Sequence, residues 1–219
     1  MIRVWDLPIR LFHWLLALCV IGSFVSIKLG GDAMVWHARF GYAALTLLGF
    51  RWIWGVIGPF HARFASFVKG PVVIRTYLRN PAAATLGHNP LGALSVLAIL
   101  ILFTAQALLG LFTTDEIAFD GPMVKHASNA VVEWAGRLHH GLEPALIFLV
   151  LLHIGSVVVH RWRYHHDLVT PMITGDQPLP ESAAGDPVVA PASRDDRITR
   201  TKAVIVTAFV AALVAYLSL

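Results

Sequence analysis

His139, His140 and His153 stand at the two ends of RLHHGLEPALIFLVLLH, an otherwise nearly apolar stretch from Arg137 to His153. His13 lies early in another apolar run, and His37 opens a third. An imidazole in such surroundings can ligate a metal, carry a proton or cap a helix. Sorted by depth, these residues form two sets: His13 with His153 near one end of the spans, and His37 with His139 or His140 near the other. Fourteen residues fall just short of four helical turns, so His139 and His153 project within roughly 40° of each other, whereas His140 points about 140° away. The same spacing separates the two imidazoles by about 21 Å along a helix, inside a hydrocarbon core of about 30 Å. His139 is therefore the favoured partner of His37, and His140 is the runner-up or a cap.

Two histidines on one iron make a six-coordinate b-type haem, a centre suited to electron transfer. Two stacked pairs predict two haem b groups, and the absence of a CxxCH motif makes their attachment non-covalent. A lone histidine near a helix end is ordinarily an interfacial residue, but ionisable groups paired at two depths inside spans point to function. Arg39 and Arg137 flank the outer set and Arg10 lies near the inner one; each is a candidate partner for a haem propionate. Gly41, one turn after His37, and Ala17, one turn after His13, would let a flat macrocycle approach the backbone. His61, His88, His160, His165, His166 and His126 fall in or beside loops, where a solvated role is the default; His61 is also a candidate proton carrier beside a quinone.

The elements that must carry these residues follow from composition. Of 219 residues, 57% are hydrophobic and only 14% charged, and mean hydropathy is +0.67. Soluble domains carry about 25% charged residues, so this is an integral membrane protein. Five helical spans are expected, over Leu7–Leu29, Val35–Ile57, Leu91–Phe112, Leu138–Trp162 and Ala203–Leu219, because lipid leaves the backbone no other partner. The first run is too long for a signal peptide and lacks a cleavage site. Gly58 to Pro90 reads as a loop with one surface helix, and Gly175 to Arg200 as a flexible tether. Domains are accordingly 1–174 for a membrane unit, 175–200 for a linker and 201–219 for a C-terminal span. The single cysteine, Cys19, permits no disulfide.

With the N-terminus inside, twelve of the seventeen Lys and Arg residues face the cytoplasm, Arg3, Arg63, Arg75 and Arg161 among them. Only Lys28, Arg39, Lys125 and Arg137 lie outside, with Arg51 near the inner end of the second span. This bias assigns a multi-pass inner-membrane protein with a cytoplasmic N-terminus and a periplasmic C-terminus. Scattered along membrane edges, the basic residues argue against nucleic acid despite a pI of about 9.6.

Three stretches carry a resemblance: VWDLPIRLFHWLL from Val4, RWIWGVIGPFHARFASFV from Arg51 and LHIGSVVVHRWRYHHDLVTPMITG from Leu152. They resemble the bacterial cytochrome b-561 family, and most closely its branch related to the b-type cytochrome subunit of nickel–iron hydrogenases. The resemblance implies an all-α membrane four-helix bundle with two b haems, here followed by a fifth C-terminal transmembrane helix. It places the axial ligands on His13, His37, His139 and His153, and makes quinone an exchangeable substrate, with Arg51, His61 and Arg63 as candidates for its site. It also implies a redox partner at the outer face, a c-type cytochrome or a hydrogenase, and leaves a homodimer open. The expected function is electron transfer between the quinone pool and that partner. The alternative is a quinone-linked oxidoreductase acting directly on a small outer-face substrate such as superoxide. The net-acidic outer side, with Asp32, Asp115, Glu116, Asp120, Glu133 and Glu143, favours a basic protein. An anchor without haem is the third reading, and predicts that His13→Ala is harmless.

Overall fold

The computed structural model describes residues 1–80, 85–115, 119–179 and 191–219. Eight helices occur among them: α1 (Leu7–Leu29), α2 (Met34–Ile57), α3 (Phe64–Phe67), α4 (Pro71–Arg79), α5 (Pro90–Gly110), α6 (Asn129–Arg163), α7 (Val169–Thr174) and α8 (Arg197–Leu217). Five of them, α1, α2, α5, α6 and α8, are long and apolar enough to cross a bilayer. The fold is all-α, a membrane bundle of four helices with a fifth alongside.

Polar caps set where these helices start. The Asp6 carboxylate accepts from Ile9 N at 2.8 Å ahead of α1, Asn89 Oδ1 from Gly92 N at 2.7 Å ahead of α5, and Asp196 from Thr199 N at 2.8 Å ahead of α8. Each cap satisfies a backbone donor that has no partner within its helix. Pro8 and Pro90 sit in the first turns of α1 and α5, where their missing N–H removes nothing. Gly30 ends α1 at a φ of 66°, a conformation that L side chains rarely adopt.

Two expected boundaries move. Helix α6 begins at Asn129 rather than near Leu138, because the polar, helix-compatible NAVVEWAGR prolongs it beyond the apolar run. Helix α8 begins at Arg197 rather than Ala203, since Asp196 caps it ahead of the apolar residues.

α1 packs along its neighbour α2, α2 also meets α5 and α8, and α5 packs along α6. The core is centred on α1 and α2, with Phe12, Leu48, Phe50 and Trp54 buried against Leu100 of α5 and Ala203 of α8. At Gly49 a Cβ would lie 2.7 Å from Val210 Cγ1, so the missing side chain is what seats α8 on α2. α6 packs chiefly along α5, and its histidines reach towards α1 and α2.

Both ends of the stretch expected to be a tether are fixed. β2 (Asp176–Gln177) pairs antiparallel with β1 (Ile2–Arg3), and Ser193 donates from its N to Arg3 O and from its Oγ to Val4 O, both at 2.7 Å. Asp195, its side chain 8% exposed, bridges Arg3 and Arg200 and lies 3.7 Å from Arg10. Residues 180–190 of that stretch lie outside the described residues. At the opposite end of the bundle, Lys125 Nζ donates to the carbonyl of Leu219 at 2.9 Å.

Candidate functional site

The four histidines singled out by depth and phase come together in two pairs. His13 of α1 and His153 of α6 have ring centroids 6.3 Å apart, and His37 of α2 and His139 of α6 have theirs 6.2 Å apart. Two metal–nitrogen bonds of about 2 Å, plus about 1 Å from each coordinating nitrogen to its ring centre, require about 6 Å between two axial imidazoles. Both pairs meet that requirement, each bridging the interval between α6 and its neighbour. Helix α6, continuous from Asn129 to Arg163 with Pro144 inside it, keeps them at two depths, fourteen residues apart or about 21 Å of axial rise.

The outer pair is held by the backbone. His37 donates from Nδ1 to the Ser23 carbonyl at 2.9 Å, and His139 from Nδ1 to the Gln106 carbonyl at 3.0 Å. A histidine whose Nδ1–H is engaged in this way presents Nε2 as a fixed, more basic ligand. Gln106 completes a reciprocal clamp by donating from Nε2 to the His139 carbonyl at 3.0 Å. Gly110, one turn along α5, makes room for the imidazole: a Cβ there would stand 3.1 Å from His139 Cε1. His140 lies edge-on to His139 at 5.8 Å.

The inner pair has a different setting. His13 Nδ1 is buried and has no hydrogen-bond partner. Nearby at the same end, Phe50 of α2 stacks on Trp54 at 5.4 Å and meets Phe12 at 6.4 Å. Trp54 Nε1 donates to Asp6 Oδ2 at 3.3 Å. Burial pushes the Asp6 carboxyl up to about 6, against the hydrogen bonds from Ile9 and Trp54 that hold it down.

The model of the prokaryotic cytochrome b561 family matches residues 4–175, which span the bundle and all four histidines. The chain belongs to that family. No curated protein and no solved structure matches it. Family membership makes the chain a multi-pass membrane cytochrome that binds b-type haem and works in electron transfer. The paired imidazoles fit such a group on their ring separations and, in the outer pair, on the nitrogen left free by the backbone bond.

The remaining residues proposed for the haem sites fall as follows. Arg10 donates from Nη1 to the Ile173 carbonyl and its Nη2 lies 3.7 Å from Asp195, while its buried Nε has no hydrogen-bond partner. Arg39 lies over the Trp36 ring at 4.9 Å, and Arg137 is exposed and 3.9 Å from Glu133 on its own helix. Gly41 has open space where a Cβ would project. His61 donates to the Pro191 carbonyl at 3.0 Å, Arg63 rests on Phe60, and Arg51 is buried at 3% exposure. Sequence reasoning missed Gln106 and Gly110. Gln106 carries a signal, an amide in an apolar span; the Ser23 carbonyl carries none.

Proposed function

We propose that the chain is a di-haem b-type cytochrome that carries electrons across the membrane. His13 with His153 would ligate an inner haem b and His37 with His139 an outer one. The observation that carries this reading is the pair of ring separations, 6.3 and 6.2 Å, held fourteen residues apart on one helix. Bound haem supplies one-electron chemistry through its iron. The histidines fix the two sites at their depths, and the aliphatic and aromatic residues of α1, α2 and α5 exclude water from them.

The inner haem would exchange electrons with the quinone pool and the outer one with a periplasmic redox protein such as a c-type cytochrome or a hydrogenase. Orientation follows the basic residues. Arg3, Arg10, Arg63, Arg161 and Arg200 lie at the end where β1 meets β2, and this end is cytoplasmic in the inner membrane. A basic partner suits the outer end, where Asp32 is exposed, while Lys28 and Arg137 are engaged by Glu143 and Glu133. Glu116, counted with these acids in the sequence, lies outside the described residues.

Pyridine haemochrome quantitation on the purified full chain, with His13→Ala and His139→Ala variants, tests the reading. Two haems per chain in the wild type and one in each variant are expected. A colourless wild type, or variants that keep both haems, would overturn it.

A further inference from the structure

A buried arginine at the depth of His13 makes no ion pair among the described residues. Arg51 lies six residues before the end of α2, and His13 six residues after the start of α1, so the two sit about 9 Å from the same end of neighbouring helices. The contact between Phe12 and Phe50, the residues just before them, confirms the shared depth. Arg51 is 3% exposed, and its Nη1 has no hydrogen-bond partner. Its guanidinium lies over the rings of Phe64 at 4.7 Å and Phe67 at 5.9 Å. Gly55 permits this stacking, since a Cβ there would collide with the Phe64 ring.

Asp6 lies within electrostatic reach of it but does not pair with it. Both Asp6 oxygens are taken, by Ile9 N and Trp54 Nε1, and no ion pair joins Asp6 to Arg51 among the described residues. A buried cation without a counter-charge is strongly unfavourable, so a site of this kind is built to receive an anion.

A second, half-buried group faces the same place. His88 lies against Phe67 at 4.5 Å and Trp5 at 4.7 Å, and its Nδ1 is sealed from solvent without a partner. Phe67 thus touches both Arg51 and His88. The turn that carries His88 is fixed on either side: Gly87, at a φ of 72°, donates to Gln177 Oε1 at 3.0 Å, and Asn89 caps α5. Desolvation foremost, then the charge of Arg51, disfavours a proton on His88. It therefore adds a neutral hydrogen-bonding group to the single positive charge of Arg51, within the field of the inner pair.

We infer that Arg51 and His88 form the anion site for the propionates of the inner haem, in place of Arg10, whose two terminal nitrogens are already engaged by Ile173 and Asp195. A guanidinium offers a carboxylate two parallel N–H bonds, and the Phe64 ring fixes the plane in which it does so. This rests on the reading that His13 and His153 hold a haem.

The test is haem content and redox titration of the full chain carrying Arg51→Gln, Arg51→Lys or His88→Gln. Arg51→Gln should fall from two haems towards one. The inner haem that remains should have a lower midpoint potential, because a positive charge that disfavours the ferric state is gone. That potential should also become pH-dependent near neutrality, as propionates without a counter-ion take up protons. Arg51→Lys should restore most of the haem, and His88→Gln, which keeps the charge, should lower inner-haem occupancy less than Arg51→Gln does. The outer haem, unchanged in spectrum and potential, reports that the bundle has folded.

Arg51→Gln with two haems at wild-type potential and pH dependence would overturn the assignment. The same protein with impaired quinone reduction would overturn it as well, and give the site to quinone. A wild type with only the outer haem would sink the inner-pair reading itself.

Discussion

The outer and inner imidazole pairs have nearly the same ring separation, 6.2 Å and 6.3 Å, but opposite kinds of support. Around His37 and His139 the partners are main-chain carbonyls, of Ser23 and Gln106, which no substitution at those positions removes. At the depth of His13 and His153 stand side chains that carry or can carry charge, Arg51 and His88, while the Trp14 ring lies edge-on to His13 at 4.9 Å. Backbone support fixes orientation and tautomer whatever the surrounding sequence. Side-chain support makes a site adjustable, through charge and through pH. The half of the molecule next to the basic loops is thus the electrostatically tuned one.

The comparison breaks most sharply at the ligands. His139→Ala should remove the outer haem and leave the inner one, while His140→Ala keeps both, read by haemochrome and by the low-spin ferric resonances. The reverse result would hand the outer site to His140 and undo the backbone support described for it.

Asp6 tests the electrostatic half. Its carboxyl is raised from 3.8 to about 6, chiefly by burial, so the folded chain binds that proton more tightly than the unfolded chain does. Stability therefore falls as pH rises from about 4 to about 6, and the loss is constant above that window. Two pH units correspond to about 3 kcal/mol. Thermal unfolding in detergent should show Asp6→Asn gaining on the wild type by about that amount across the window, then no further. A flat difference would make Asp6 an ordinary capping carboxylate.

Gly110→Val probes the fit of the outer imidazole. With a Cβ already 3.1 Å from His139 Cε1, the branched side chain must push the ring away. Outer-haem affinity should fall by about ten- to a hundredfold, the usual effect of disturbing a ligand's support, with the inner haem intact. The smallest effect is expected from Gln106→Ala. It removes the amide that donates to the His139 carbonyl but leaves the carbonyl that orients the ring. The loss should be about 1 kcal/mol in unfolding experiments, with both haems kept; loss of the outer haem would show that the side chain, not the backbone, holds the site.

The pairing of His13 with His153 and of His37 with His139 was legible because helical rise and phase depend only on residue number. The bundle was legible for a related reason: twenty apolar residues in lipid have one backbone solution. The acceptor for His37 was not, since the Ser23 carbonyl is chemically like every other. Nor was the placement of Arg10, whose partner Asp195 lies 185 positions away in a stretch that composition reads as a tether. Arg51 could be placed near the inner end of its span, but only packing shows that Phe64 and Phe67 enclose it and that Asp6 is occupied elsewhere. Local periodicity encodes depth and facing; long-range pairing of polar groups leaves no such trace.

The knot at Asp195 also orders events in time. Arg3 and Arg10 meet the Asp195 carboxylate only once residue 195 has been made, although Arg3 already finds Asp176 before that. At translation rates of about 5–20 residues per second, that is a wait of about ten to forty seconds. His13, His37, His139 and His153 are all made before Asp195 can tie down the start of α1. The end of the bundle that carries His13 and His153 is therefore tied together only late.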